Sequence, residues 1–205
     1  SVKNNLVVAG LGQAAAKSLK GVYDRGQPLV QLGLVLATAL STSLLPSLTR
    51  ALQRQRQNEF YRQAVMMIRL SCAFSVAAAG GLIALMPGVN RLLFGDTHGD
   101  LALGLYMLSI VLVALISSYS SVFQSLGEYH LPTVALLLGL VVKLAINGWA
   151  VRQWQINGAS GATVFALAVM FWLLWWRSRN YIRQALFRQN FLGKLFVCTG
   201  GMVLV

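Results

Sequence analysis

Asp24 and Arg25 stand side by side ahead of a long apolar run, and Gln27, Gln31, Thr38 and Thr42 follow within it. The intervals from Asp24 through Thr42 bring these residues back near one face of an α-helix, with Arg25 at the entrance to the stripe. A second set, Gly139, Lys143 and Asn147, recurs every four residues and also shares one face. Such side chains do binding chemistry rather than bond-making. The α-helix of Gln27–Thr42 either lines a polar cavity or hydrogen-bonds to neighbouring helices, and Lys143 either holds a substrate or ties helices together.

No catalytic constellation accompanies them. His98 and His130 fall on opposite sides of the membrane in the topology derived below, and Asp96 and Asp100 have no convincing partner. Glu128, Tyr129 and His130 form only a weak trio in a tight turn. No glycine-rich loop of the phosphate-cradling type is present. An enzyme is therefore not expected, nor is a cofactor or a metal. Cys72 and Cys198 lie inside apolar windows and read as buried, reduced thiols.

The elements that must position these residues are set by composition. The chain has 205 residues, 57% hydrophobic and only 11% charged, with a mean hydropathy of +0.65. Soluble domains carry about 25% charged residues. Five windows, Gln27–Leu48, Ala64–Met86, Leu101–Gln124, Pro132–Val151 and Ala159–Trp176, have the length of a bilayer crossing. A sixth begins near Phe191. The expected fold is an all-α polytopic transmembrane helix bundle. Its parts are residues 1–26, the end of a preceding helix and an external connection; 27–176, five transmembrane helices; 177–192, a basic amphipathic segment; and 193–205, the start of a further helix. With no initiator Met, no leader pattern and no natural stop, the chain reads as an excerpt from a longer protein.

The net charge of +12 does not indicate nucleic acid, because the basic residues sit between the apolar windows. Arg50, Arg54, Arg56 and Arg62 face only Glu59 in one connection, and Arg177, Arg179, Arg183, Arg188 and Lys194 face no acid in another. The positive-inside rule places both in the cytoplasm, against anionic membrane lipids. Four windows separate them, an even number, so charge and topology agree. Gly88–Asp100 and Arg152–Gly158 are then external, and the link Gly127–Leu131 is internal although it carries no positive charge. Arg69 sits near the inner end of its window and can snorkel. The serines of Ser117–Ser121, with Tyr119 and Gln124, read as helix-packing residues.

Three stretches carry a family resemblance. "YDRGQPLVQLGLVLATALSTSLLPSLTRA", Tyr23 to Ala51, resembles the eighth helix of MurJ-type lipid II flippases, closest to the branch with the stage V sporulation protein B relatives. "LLLGLVVKLAINGWAV" and "INGASGATVFALAVMF" resemble a later helix pair of that branch. This family belongs to the multidrug/oligosaccharidyl-lipid/polysaccharide exporter superfamily. The resemblance implies a two-lobed alternating-access transporter of the bacterial cell membrane, with this chain forming part of the second lobe and lacking the first.

It further implies a polyprenyl-diphosphate-linked saccharide of the lipid II class as substrate, held in a cationic cavity while its tail stays in the bilayer. The family's functional Asp-Arg pair matches Asp24 and Arg25. A guanidinium can donate a pair of hydrogen bonds to a diphosphate, and the aspartate orients it when the site is empty. The expected cavity set is Asp24, Arg25, Gln27, Gln31, Lys143 and Asn147. Competing readings are a multidrug exporter, disfavoured because no carboxylate lies within the five windows, and a membrane glycosyltransferase or ligase, disfavoured by short external loops.

Overall fold

The computed structural model describes residues 13–94 and 100–182, with the side chains of 13–27, 29, 36, 86–87, 89–94, 100–106, 149, 151–152, 154–157 and 179–182 outside that description. Four helical elements follow one another: α1 (Gln13–Gln53), α2 (Gln57–Phe94), α3 (Asp100–Ser125) and α4 (His130–Ile182). No strand occurs among the described residues. Lipid offers no partner for backbone N–H and C=O groups, so spanning segments must satisfy them internally, as helices do.

Among the described residues, five segments are long and apolar enough to cross a membrane: Val30–Gln53, Gln57–Leu85, Met107–Ser125, His130–Gly148 and Gly158–Ser178. Element α4 supplies two of them and is a hairpin rather than a rod. Gly139 lies against Met170 and the Ala166 carbonyl, residues that a straight helix would carry roughly 40 Å away at about 1.5 Å per residue. The chain therefore reverses between Gly148 and Gly158. The expected external loop Arg152–Gly158 is corrected in form: the backbone keeps helical geometry through the reversal. Likewise, helix α1 runs without a break from Gln13 to Gln53, so Tyr23–Gln27 lies within a helix rather than at its start. Apolar composition marks the lipid-facing part of a helix, not its hydrogen-bonded ends, which explains both differences. The window from Phe191, Cys198 and most of the basic segment 177–192 lie outside the described residues.

Two apolar cores stack along the bundle. The first joins Leu48, Ala51, Phe60 and Ala64, which flank the α1–α2 turn, to Val122, Phe123 and Ala135, which flank the α3–α4 turn, and to Leu174 near the end of α4. Cys72 packs in this core. The second joins Val30, Leu34 and Ala37 of α1 to Ala79 of α2 and Met107, Ile110 and Ala114 of α3. The arginine-bearing turn around Arg54 and Arg56, the turn at Gly127 and the Arg177 end of α4 thus lie at the same end of the bundle. Helices α1 and α3 approach closely at Gly33, where an added Cβ would come within 2.8 Å of Ile110 Cδ1.

Both turns at that end use the same C-terminal cap. Gly127 N–H bonds the Gln124 carbonyl at 3.0 Å and Glu128 N–H bonds the Phe123 carbonyl at 2.9 Å. Gln55 N–H and Arg56 N–H bond the Leu52 and Ala51 carbonyls at 2.9 and 3.0 Å in the same pattern. This is the Schellman arrangement, which needs a left-handed residue just past the helix. Gly127 meets that need freely at φ 80°, whereas Gln55 adopts φ 55° with a Cβ in the way. Gln55→Gly should therefore stabilise the protein by about 0.5–1 kcal/mol, read as a higher melting temperature of the full-length protein in detergent.

Candidate functional site

A cleft of about 510 Å³ opens at this end between α1, α3 and the start of α4. Its polar wall is Thr38, Ser41 and Thr42 from α1, Ser117, Ser120, Ser121 and Gln124 from α3, and Thr133 from α4. No charged side chain lines it. The α3 contributors repeat at helical spacing and so share one face, while Ser118, Tyr119 and Val122 on the other side of the helix are buried.

Four of the hydroxyl protons on this wall are already committed. Thr38 Oγ1 donates to the Leu34 carbonyl at 2.9 Å, Thr42 Oγ1 to the Thr38 carbonyl at 3.0 Å, Ser121 Oγ to the Ser117 carbonyl at 3.0 Å and Thr133 Oγ1 to the Tyr129 carbonyl at 3.0 Å. These oxygens face the cleft chiefly as acceptors. Pro46 has no N–H, so the Thr42 carbonyl lacks its usual donor one turn on, which adds another acceptor nearby. A ligand portion rich in hydroxyl donors suits such a wall.

Leu136 and Met170 also line a narrower groove of about 210 Å³ along the α4 hairpin, with Gly139, Leu140, Lys143, Thr163, Ala166 and Leu167. The two spaces adjoin through those shared residues. Lys143 is half-buried and caps the groove. A helical side chain leans toward the N-terminus of its helix, and the groove lies on that side of Lys143. The uncharged cleft therefore leads toward a cation deep in a spanning segment.

The expected residues fall as follows. Gln31 is exposed on α1, Lys143 lines the groove, and Asn147 is buried at 5% exposure in the hairpin seam. Asp24, Arg25 and Gln27 belong to the α1 backbone, and their side chains lie outside the described residues. Thr38 and Thr42, read as part of the polar stripe, do line a cavity. The serine cluster needs a correction: Ser118 and Tyr119 pack, and Ser118 meets Ser41 of α1 at 3.4 Å, but Ser117, Ser120, Ser121 and Gln124 face the cleft. Their one-sided spacing was the signal. That spacing is ambiguous in sequence, because small hydroxyl residues serve close packing equally well.

Residues 7–204 match the family model described as lipid II flippase MurJ. The "Uncharacterized membrane protein YabM" of Bacillus subtilis (strain 168) is 34% identical over 165 residues, covering 80% of this chain and 31% of that protein. The "Probable flippase AglR" of Haloferax volcanii is 25% identical over 201 residues, covering 95% of this chain and 42% of that protein. The "Lipid II flippase MurJ" of Bacillus subtilis (strain 168) is 23% identical over 142 residues, covering 67% of this chain and 26% of that protein. The chain thus spans less than half the length of these relatives. No solved structure matches it. With five apolar helices able to cross a bilayer and a family match over nearly its whole length, this multi-pass membrane chain belongs to the MurJ lipid II flippase family.

Proposed function

We propose that the full-length protein moves a polyprenyl-diphosphate-linked saccharide, lipid II or a close relative, from the inner to the outer leaflet by alternating access. The observation that carries this reading is the uncharged, acceptor-rich cleft leading to Lys143 within a membrane-spanning segment. A lipid-linked saccharide is itself divided in this way: a hydroxyl-rich head, an anionic diphosphate and an apolar tail. The head suits the cleft, the diphosphate suits a cation, and the tail stays in lipid. A charge within hydrocarbon costs about 2.5–3.5 kcal/mol on insertion scales, so an intramembrane lysine calls for a functional reason.

Asp24, Arg25, Gln27 and Gln31 supply the α1 side of the same cavity in this reading, with Arg25 gripping the diphosphate by paired hydrogen bonds. The exposed Arg50, Arg54, Arg56 and Arg62 bind anionic lipid head groups at the cytoplasmic face, each worth about 1 kcal/mol near such a surface.

Complementation tests the reading. Full-length protein should rescue cells depleted of their own flippase. Arg25→Ala should lose that rescue while the protein still reaches the membrane in normal amount. Full rescue by Arg25→Ala removes this residue from the mechanism; no rescue by the parent protein removes the lipid II class.

A further inference from the structure

Three polar groups in the α4 hairpin complement one another without touching. Asn147 is 5% exposed and Ser160 only 1%, and neither Asn147 Oδ1 nor Ser160 Oγ has a hydrogen-bond partner. A buried acceptor without a donor is unfavourable, the more so where no water competes for it. Lys143, one helical turn before Asn147, carries three N–H donors and no acceptor.

The hairpin register brings the three into one seam. Gly139 packs on Ala166 and Met170, and Lys143 shares its groove with Thr163. Carrying that antiparallel register one turn further sets Asn147 opposite Ser160. Residues one turn apart on a helix have Cβ atoms about 5–6 Å from each other, within the arm of a lysine. The Asn147 side chain also leans back toward the Lys143 level.

We propose that Asn147 and Ser160 form an internal berth for the Lys143 ammonium. The ammonium occupies the berth when no ligand is present and swings into the groove when an anionic group arrives. Asn147 and Ser160 are then positioning residues: they set how much of the free protein has its lysine available, and they take the cation back after release. This rests on the reading of Lys143 as a contact for the diphosphate. The seam accounts for a buried amide and a buried hydroxyl that the cleft and groove leave unused.

The test uses full-length protein in detergent with undecaprenyl diphosphate as probe. Apparent affinity falls with the fraction of protein whose site is free to bind. A berth occupied nine-tenths of the time therefore weakens binding about tenfold. Asn147→Leu and Ser160→Ala should each bind the probe several-fold more tightly than the parent. Neither substitution should have any effect in a Lys143→Met background. Unchanged or weaker binding in both variants, with Lys143→Met also weaker, overturns the berth and makes these residues structural or direct ligand contacts.

If Lys143→Met leaves probe affinity untouched, it is the diphosphate reading of Lys143 that fails. The berth is then decided by melting temperature. The combined Lys143→Met and Asn147→Leu protein should lose less than the sum of the two single losses, because each alone strands the other's partner. Additive losses overturn the berth. Ser160→Ala, which removes one oxygen and little volume, gives the same comparison if Asn147→Leu does not fold.

Discussion

Full-length protein carrying Lys143→Glu should fail to rescue flippase-depleted cells, whereas Lys143→Arg should retain most of the rescue. Two unit charges about 4 Å apart interact by about 4 kcal/mol at an effective dielectric near 20. Turning that attraction into repulsion shifts binding of a diphosphate by several kcal/mol, well over a hundredfold at about 1.4 kcal/mol per decade. The fold should suffer less. Insertion scales place acidic and basic residues at a similar cost of about 2.5–3.5 kcal/mol, and the groove around Lys143 is already lined by Leu136, Leu140, Leu167 and Met170. Membrane immunoblotting beside the rescue assay separates the two effects. Normal rescue by Lys143→Glu would exclude the groove from the transport path.

That side chain shows how far a sequence can be read here. Lys143 stood out because a lone cation in an apolar window is conspicuous, and its placement on one face with Gly139 and Asn147 follows from helical geometry alone. What that face meets did not follow from sequence. Gly139 turns out to seat Met170 and Ala166, so the same face closes a hairpin and also lines a groove. The number of crossings was legible, because hydropathy reports contact with lipid directly. Helix ends were not, since Gln13–Gln53 extends past its apolar stretch and the reversal between Gly148 and Gly158 keeps helical backbone. The hydroxyl cleft was half legible. Thr38 and Thr42 belonged to a visible stripe, but Ser117, Ser120 and Ser121 needed the position of α1 and α4 to tell lining from packing.

Gly127–Leu131 carries no Lys or Arg, so positive charge could not place it. Leu48, Ala51, Phe60, Val122, Phe123 and Ala135 form one core, which puts that link at the same end as Arg54 and Arg56. Packing thus supplies an orientation that the composition of a short turn could not.

Tyr119→Ala should be the most destabilising single change in the described part of the chain. Tyr119 is 1% exposed and meets Phe171 of α4 edge-on, with ring centroids 5.9 Å apart and planes at 65°. Its hydroxyl hydrogen-bonds Ser178, whose own proton goes to the Trp175 carbonyl at 2.8 Å. The ring therefore joins α3 to the last stretch of α4 inside the core shared with Met67, Ile68 and Cys72. Truncating a buried aromatic to alanine costs about 3–5 kcal/mol, and the cavity left behind supplies part of that. Within lipid the loss is mainly of packing contacts, since apolar burial away from water drives little there. Tyr119→Phe keeps the ring and loses only the hydroxyl contact, about 1 kcal/mol. Melting of the full-length protein in detergent should rank parent, Tyr119→Phe and Tyr119→Ala in that order. Ser117, Ser120 and Ser121 line the cleft from the same two turns of α3, so loosening Tyr119 should also reduce rescue. This loss should deepen with growth temperature, as a packing defect does, while the loss from Lys143→Glu should be the same at every temperature at which the cells grow.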